Sequence, residues 1–393
     1  MISTIQKTMG LTPLRVSKIN KINLATARPE RVGGKMKLTN AQEKIVKTDK
    51  PKVLVLSSAA SGKSTVIVER IRYLLEQGVD PSKIVAITFT NNAASVMYER
   101  LGYPNGLFIS TVHSYANFLL RGNAVDTTQI LSEERFDDLF EEIKKNPDCI
   151  REVDYLLLDE AADSTREQFE FFELINPKNF MYVGDIKQSL YGWRDAYPDY
   201  LLELYYNPEV TVYSLHENFR NMPDILRFAK KFLYRLGPDY DDDSIAMRQS
   251  DGRPHVLEGN YSPSEAVSSL IMASDRLGAK WGDWFVLCRT NADVDMFRTL
   301  FTNEGIPVDT FKQSELTNSQ IEDRMKENTI KVLTVHSAKG LAAPYVLSYN
   351  IRAYNDDEAK VCYVSATRAR DFLIWAKMPP KKRKKSTGTV NWE

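Results

Sequence analysis

The stretch Ser57 to Thr65 reads Ser-Ser-Ala-Ala-Ser-Gly-Lys-Ser-Thr and follows directly on the apolar run Val53 to Leu56. A short β-branched run feeding Gly-Lys-Ser and then a helical pattern predicts the strand–loop–helix of a phosphate-binding loop. Such a loop aims backbone N–H groups and a helix N-terminus at phosphate oxygens. On this reading Ser58, Ala59, Ala60, Ser61, Gly62, Lys63, Ser64 and Thr65 hold a nucleotide. Lys63 reaches its β- and γ-phosphates, and the Ser64 hydroxyl binds Mg²⁺. The pattern G-x-x-x-x-G-K-[ST] asks for Gly where Ser57 stands. The loop alone is therefore also compatible with a solvated turn before a helix, and the rest of the chain decides.

At 393 residues the chain has room for two domains. A hydrophobic content of 43% with 26% charged residues excludes a disordered or fibrous chain. No apolar run approaches the roughly 18 residues of a membrane span, so no membrane partner is expected. Cys149, Cys288 and Cys362 have neither disulfide nor metal spacing and read as thiols of a reducing, intracellular compartment. The formal charge of zero hides an asymmetry. Residues 1 to 37 carry eight Lys or Arg against the single Glu30, and residues 377 to 393 carry six against the single Glu393. Basic ends on an acidic body suit a polyanion partner, and a solubilising role is the plain alternative. The run Pro379 to Lys385 reads equally as a nuclear-localisation signal or a nucleic-acid patch. Gly33-Gly34-Lys35 ahead of Met36 has the look of a translated ribosome-binding site, which makes Met36 a second candidate start.

Beyond Leu38 the pattern alternates. Val53–Leu56, Ile84–Thr88, Leu107–Ser110, Tyr155–Leu158, Phe180–Val183 and Val210–Tyr213 are strand candidates with helical patterns between them. The alternation then restarts at His255–Leu257 and continues through Trp284–Cys288, Val332–Thr334, Val346–Tyr349 and Phe372–Trp375. Short apolar runs alternating with helices predict parallel sheets covered on both faces. Ser262-Pro263-Ser264-Glu265 is a capping box with Pro at the first turn. The expected organisation is a basic extension over 1–36, expected to be disordered, a first lobe over 37–215 with a short helical insertion near 122–150, a second lobe over 216–378 and a basic tail over 379–393.

Leu156-Leu157-Leu158-Asp159-Glu160 is an apolar strand ending in two carboxylates. In open α/β sheets ligands bind at the carboxyl ends of strands. Asp159 is thus the second Mg²⁺ ligand beside Ser64. Glu160 is placed to orient and deprotonate an attacking water.

The order of segments resembles the UvrD/Rep-type superfamily 1 DNA helicases from about Leu38 to Ala376. Leu38-Thr39-Asn40-Ala41-Gln42 looks like the adenine-reading segment, with Gln42 on the base edge. Ala86 to Ala94, and then Ser110-Thr111-Val112-His113-Ser114, look like segments that touch single-stranded DNA. Asp159-Glu160-Ala161-Ala162-Asp163 looks like the acidic box, and Val183 to Arg194 is very close to the third motif. Glu217-Asn218-Phe219-Arg220 resembles the arginine motif that opens the second lobe. Thr334 to Leu341 resembles the fifth motif and Tyr363 to Arg370 the sixth.

The resemblance implies two RecA-like parallel-sheet lobes with ATP and Mg²⁺ in the cleft between them, and an ATP hydrolase that moves along single-stranded DNA, 3′ to 5′. Catalysis would rest on Lys63, Asp159, Glu160, Gln188, Arg220 and Arg368, with Gly340 among the nucleotide-binding residues. DNA would meet Phe89, Asn91, His113, Tyr191, Trp193, Arg194 and His336. Implied partners are single-stranded DNA, single-strand/duplex junctions and a single-strand-binding or replication or repair protein, with the chain a monomer or weakly self-associating. The implied setting is cytoplasm or nucleoid, a phage, or the nucleus of a eukaryotic host. A helicase-fold regulatory module that binds nucleic acid with little motor activity is the alternative; both acids and both arginines favour the motor.

Three departures stand out. Ser57, Ser58 and Ala60 reduce the loop's backbone freedom. Ala342 and Ala343 replace a Glu-Phe pair whose Glu is thought to contact the nucleotide sugar. Lys187 replaces a residue that is usually acidic. The stretches His113 to Asp159 and Arg220 to His336, where larger family members carry inserted subdomains, leave room here for a couple of helices and for the second sheet itself.

Overall fold

Trp284, Val286 and Cys288 point to one side of a strand and Phe285 and Leu287 to the other, and all five are buried. A strand apolar on both faces needs helices on both, which is the condition for a parallel sheet. The computed structural model describes residues 31–32, 35–190, 192, 195–237, 240, 242–311, 316 and 318–379. The chain divides into two units, Met1–Thr39 and Asn40–Glu393. In the first, Arg31–Val32 pairs antiparallel with Lys35–Met36. The rest of the basic extension over 1–36, and the basic tail from 380, lie outside the described residues.

The second unit holds two six-stranded sheets, both parallel throughout. In the first, β1 (Lys52–Ser57), β2 (Ile84–Ile87), β3 (Phe108–Ser110), β4 (Tyr155–Leu158), β5 (Asn179–Gly184) and β6 (Thr211–Leu215) lie in the order β3-β2-β4-β5-β1-β6. The second comprises β7 (Val256–Asn260), β8 (Trp284–Cys288), β9 (Val308–Asp309), β10 (Ile330–Thr334), β11 (Ala343–Tyr349) and β12 (Ala369–Lys377), ordered β7-β12-β11-β8-β10-β9. All eleven expected strands are present. The two-residue edge strand β9 is an addition, too short to carry an alternation.

In the first lobe the connecting helices are α1 (Asn40–Val46), α2 (Lys63–Glu76), α3 (Asn91–Leu101), α4 (Val112–Gly122), α5 (Thr128–Ser132), α6 (Asp138–Lys145), α7 (Arg166–Ile175) and α8 (Asp199–Tyr206). In the second they are α9 (Pro223–Lys230), α10 (Pro263–Leu277), α11 (Asn291–Asn303), α12 (Asn318–Lys326) and α13 (Asp356–Ala366). The expected capping box forms at Ser262 with Glu265. Thr90, Thr111, Thr290 and Asn355 cap α3, α4, α11 and α13. Each cap supplies an acceptor to an amide that the helix leaves unpaired.

Packing follows the strand alternation. Phe285 and Leu287 meet Ile225, Phe228 and Val364 of α9 and α13, while Trp284, Val286 and Cys288 meet Leu270, Phe297 and Phe301 of α10 and α11. The first sheet buries Leu54, Leu156, Leu158 and Tyr182 against Tyr115, Phe140, Phe169 and Phe171. Ala59 and Leu190 from the first lobe join the core of the second, so the lobes share apolar surface. Between β3 and β4 the chain holds only α4, α5, α6 and a short 3₁₀ turn. Between β6 and β10 the described residues are taken up by the second sheet and its helices. No described helix is long and apolar enough to cross a membrane.

Candidate active site between two parallel sheets

The loop after β1 enters α2 through Gly62, whose φ of 87° lies where L side chains are strained. A Cβ there would also stand 2.6 Å from the Gln42 amide nitrogen. Gln42 itself donates to the Ser61 carbonyl at 3.0 Å, so the expected base reader braces the loop from α1. Ala60 holds a left-handed φ of 57° without the freedom of glycine. The serines that replace glycine are tied outward. Ser57 Oγ donates to the Gly184 carbonyl at 2.8 Å, and Ser58 Oγ to Asp242 Oδ1 at 3.0 Å. Thr65 Oγ1 accepts from Arg100 of α3 at 3.2 Å. No side chain caps α2, and Ser61 Oγ is buried with no partner in the structure. Uncapped N-terminal amides and an orphaned hydroxyl are what a phosphate would satisfy.

β4 delivers the acids to the same place. Ser64 Oγ donates to Asp159 Oδ2 at 2.7 Å, which sets a hydroxyl and a carboxylate side by side, the hard oxygen donors Mg²⁺ takes. Glu160 occupies the left-handed region at φ 52°, and its Oε1 lies 3.7 Å from Lys63 Nζ. A non-glycine residue held there is strained, and such strain concentrates at functional sites. Burial, then the neighbouring Glu160, pushes the Asp159 carboxyl up. Burial also opposes the charge on Glu160, but Lys63, Lys339 and Arg368 outweigh it and hold that carboxyl below the usual range. Glu160 is thus kept ionised, as a proton acceptor must be.

Three cations reach in from the second lobe. Lys339 pairs with buried Asp163 and donates to the Gln188 carbonyl at 2.8 Å. Arg368, 2% exposed, donates to Gln188 Oε1 at 3.0 Å and is steadied by the carbonyls of Val364 and Leu341. Gln188 in turn donates to Asp185 at 2.6 Å. Arg220 donates to the Thr367 carbonyl at 3.3 Å. Burial, followed by the proximity of Arg368 and Arg370, lowers the pKa of Arg220, and burial lowers that of Arg368. Buried cations crowded in this way favour an incoming anion. Gly340, beside Lys339, is exposed with φ 84°.

The residues expected to meet DNA are less of a group. Phe89 is 38% exposed at the carboxyl end of β2, and Asn91 opens α3 behind the Thr90 cap. His113 stacks on Phe140 at 5.4 Å and meets Asp137 through Nε2 at 3.1 Å, so the short insertion leans on a side chain that stays partly exposed. His336 bonds to the Leu190 backbone, and burial and then Arg289 lower the pKa of its ring. Tyr191, Trp193 and Arg194 lie outside the described residues.

The structure adds residues that sequence reading passed over. Asn218 donates to the Ala59 carbonyl at 2.9 Å and to Asn221 Oδ1 at 2.8 Å, while Asn221 donates to Thr367 and Ala369. This buried pair fastens the phosphate loop to the turn that carries Arg368 and to the first residue of β12. Phe219, 40% exposed, sits next to it with its N–H on the Ala60 carbonyl. They belong to the quoted arginine motif or its edge, and the asparagines that flank Phe219-Arg220 on either side were the available signal. Asn221→Ala removes an acceptor from the Asn218 amide and a donor from the Thr367 and Ala369 carbonyls. Asn218 keeps the Ala59 carbonyl and the Thr367 carbonyl keeps Arg220, so the Ala369 carbonyl is the group left without its side-chain donor, and the change should cost about 1–3 kcal/mol. A urea midpoint unchanged from wild type would contradict that bracket.

With this geometry in hand, the chain matches two family models. The UvrD/REP helicase N-terminal domain covers residues 38–149 and 138–209, and the UvrD-like helicase C-terminal domain covers 309–378. A probable DNA helicase II homolog of Mycoplasma capricolum subsp. capricolum is 27% identical over an alignment taking in 67% of this chain and 50% of that protein. The ATP-dependent DNA helicase PcrA of Staphylococcus aureus is 25% identical, with 69% of this chain and 50% of that protein covered. The chain spans about half the length of these relatives. The two matched domains take in the phosphate loop, the acids and Arg368, and the chain belongs to the UvrD-like superfamily 1 helicases.

Proposed function

We propose that the chain is an ATP-dependent motor that travels along single-stranded DNA, 3′ to 5′, and separates strands or displaces proteins during replication, repair or recombination. One observation carries this reading. Arg368 and Lys339 of the second lobe end on Gln188 and Asp163 of the first, beside Lys63 and the acids. A site assembled from two lobes opens and closes with them, and that motion is what moves a motor.

Phosphoryl transfer needs positioning and charge neutralisation more than covalent help. The α2 amides and Lys63 would cradle the β- and γ-phosphates. Ser64 and Asp159 would hold Mg²⁺, which when bound would supply charge that neutralises the phosphates. Glu160, ionised and held toward Lys63, would orient the attacking water and take its proton. Arg220 and Arg368 would meet the charge that develops on the transferred group. Phe219, exposed and tied through its backbone N–H to the Ala60 carbonyl, would offer its ring to the base. Phe89 and Asn91, with Tyr191, Trp193 and Arg194, would carry the DNA strand, with aromatic stacking worth roughly 1–3 kcal/mol per base.

Turnover should rise with added single-stranded DNA. Lys63→Ala and Glu160→Gln should each abolish it, Glu160→Gln while retaining nucleotide binding in a fluorescent-analogue titration. Normal hydrolysis by Glu160→Gln would remove Glu160 as the base. Streptavidin should leave the 5′ end of an oligonucleotide, and loss from the 3′ end alone would reverse the polarity.

The short interval between β3 and β4, and the use of the described residues between β6 and β10 to build the second sheet and its helices, leave little protein to grip a duplex. Single-turnover unwinding of a tailed duplex should therefore lag well behind translocation over the same length. Processive unwinding by an isolated copy would contradict this.

A further inference from the structure

Asp242 presents a carboxylate with no exposed surface beside the phosphate loop. An anion next to a phosphate site is unexpected, and its partners explain it. Asp242 Oδ1 accepts from Ser58 Oγ at 3.0 Å and from the Ser244 N–H at 3.0 Å, and Oδ2 accepts from the Tyr363 hydroxyl at 2.8 Å. Lys187 Nζ lies 3.8 Å from Asp242 and 3.8 Å from Asp185, and donates to Ser58 Oγ at 3.4 Å. Ser58 is thus donor to the carboxylate and acceptor from the ammonium, with both sides of its hydroxyl used.

The two ends of this cluster belong to different lobes. Ser58 and Lys187 follow strands β1 and β5 of the first sheet. Tyr363 is on α13, and Asp242 precedes the two-residue ladder Ile245–Ala246, which pairs with Glu217–Asn218 ahead of α9. We propose that Asp242 is a positioning residue: from the second lobe it anchors Ser58, with Lys187 as its counter-charge, so that the phosphate loop takes its binding shape when the lobes are together. The proposal rests on the reading of this loop as the ATP site. It also assigns a role to two departures from the family pattern, Lys187 and the serine-rich loop, as parts of one device. Burial alone would raise the Asp242 carboxyl, but Lys187 and the bonds from Ser244 and Tyr363 hold it below the usual range. The cluster is therefore a charged one, and charge-assisted bonds are the strong kind.

The test compares Asp242→Asn, Ser58→Ala and the double variant in the full chain. Amide hydrogen exchange of the segment 57–65 is followed without nucleotide, and KM and kcat for ATP are measured with single-stranded DNA. Each single variant should speed exchange of the loop and raise KM for ATP about tenfold, the loss of one charge-assisted bond, with kcat within about twofold. The double variant should be no worse than the worse single one, because both remove the same bond. If Asp242→Asn does not fold, Ser58→Ala and Tyr363→Phe, which each remove one bond to Asp242, are compared singly for faster exchange of 57–65 and raised KM. Unchanged exchange of 57–65 and unchanged KM, or effects that simply add, would overturn the proposal. Faster exchange in variants of a chain that hydrolyses no ATP would support the anchor and contradict the assigned function.

Discussion

The hydrogen bond from Arg368 to Gln188 joins two sheets that share no strand pairing. Around it the rest of the site falls into place. Gln188 is held on the first-lobe side by Asp185, and Arg368 on the second-lobe side by carbonyls at Val364 and Leu341. Lys339 crosses beside it to Asp163 and to the same Gln188. The Asn218–Asn221 pair closes the bracket from the phosphate loop to the strand that starts just after Arg368. Each crossing contact is polar and directional, so a small change in lobe orientation disrupts several at once. A packed apolar seam at Ala59 and Leu190 lends cohesion without that selectivity.

The electrostatics of the cleft favour an anionic guest. Arginines and lysines sit there with little solvent, and burial works against the charge on Arg220 and Arg368. Asp159 and Asp163 are also destabilised as anions by burial, while Glu160 is kept ionised by its cationic neighbours. A buried ion network of this kind contributes little to stability compared with a hydrophobic one. Its value is specificity for a ligand that brings charge of its own, and the uncapped N-terminus of α2 points the same way.

Much of this was legible in the sequence because parallel strands are buried on both faces and read as continuous apolar runs. Tyr155–Leu158 and Trp284–Cys288 are examples, and the acids and the Gly-Lys-Ser turn follow such runs directly. What sequence reading lacked was contact between distant segments. Asp242 sits in the acidic stretch Tyr240-Asp241-Asp242-Asp243, which looks like a solvated loop, yet its side chain has no exposed surface. The loop serines read as lost flexibility, and their hydroxyls turn out to be anchored on Gly184 and Asp242. Gln42, expected on the base edge, also donates to the Ser61 carbonyl of the phosphate loop, a contact no local pattern shows. His113, in a motif expected on DNA, also contacts Phe140 and Asp137 of the short insertion while staying partly exposed. β9 is two residues long and is recruited by its neighbour β10 rather than by its own pattern.

The central claim is that the second lobe completes the hydrolytic site through Arg368. The direct measurement is single-turnover ATP hydrolysis on single-stranded DNA by wild type, Arg368→Lys and Arg368→Ala, alongside nucleotide affinity for each. Turnover should fall by about 10³-fold or more in Arg368→Ala, in line with arginine fingers elsewhere. It should be poorly restored in Arg368→Lys, which cannot make the same set of bonds. Affinity should stay within about tenfold of wild type, since the phosphates are held mainly by the first lobe. Hydrolysis by Arg368→Ala at the wild-type rate, with the protein folded and nucleotide bound, would contradict the account.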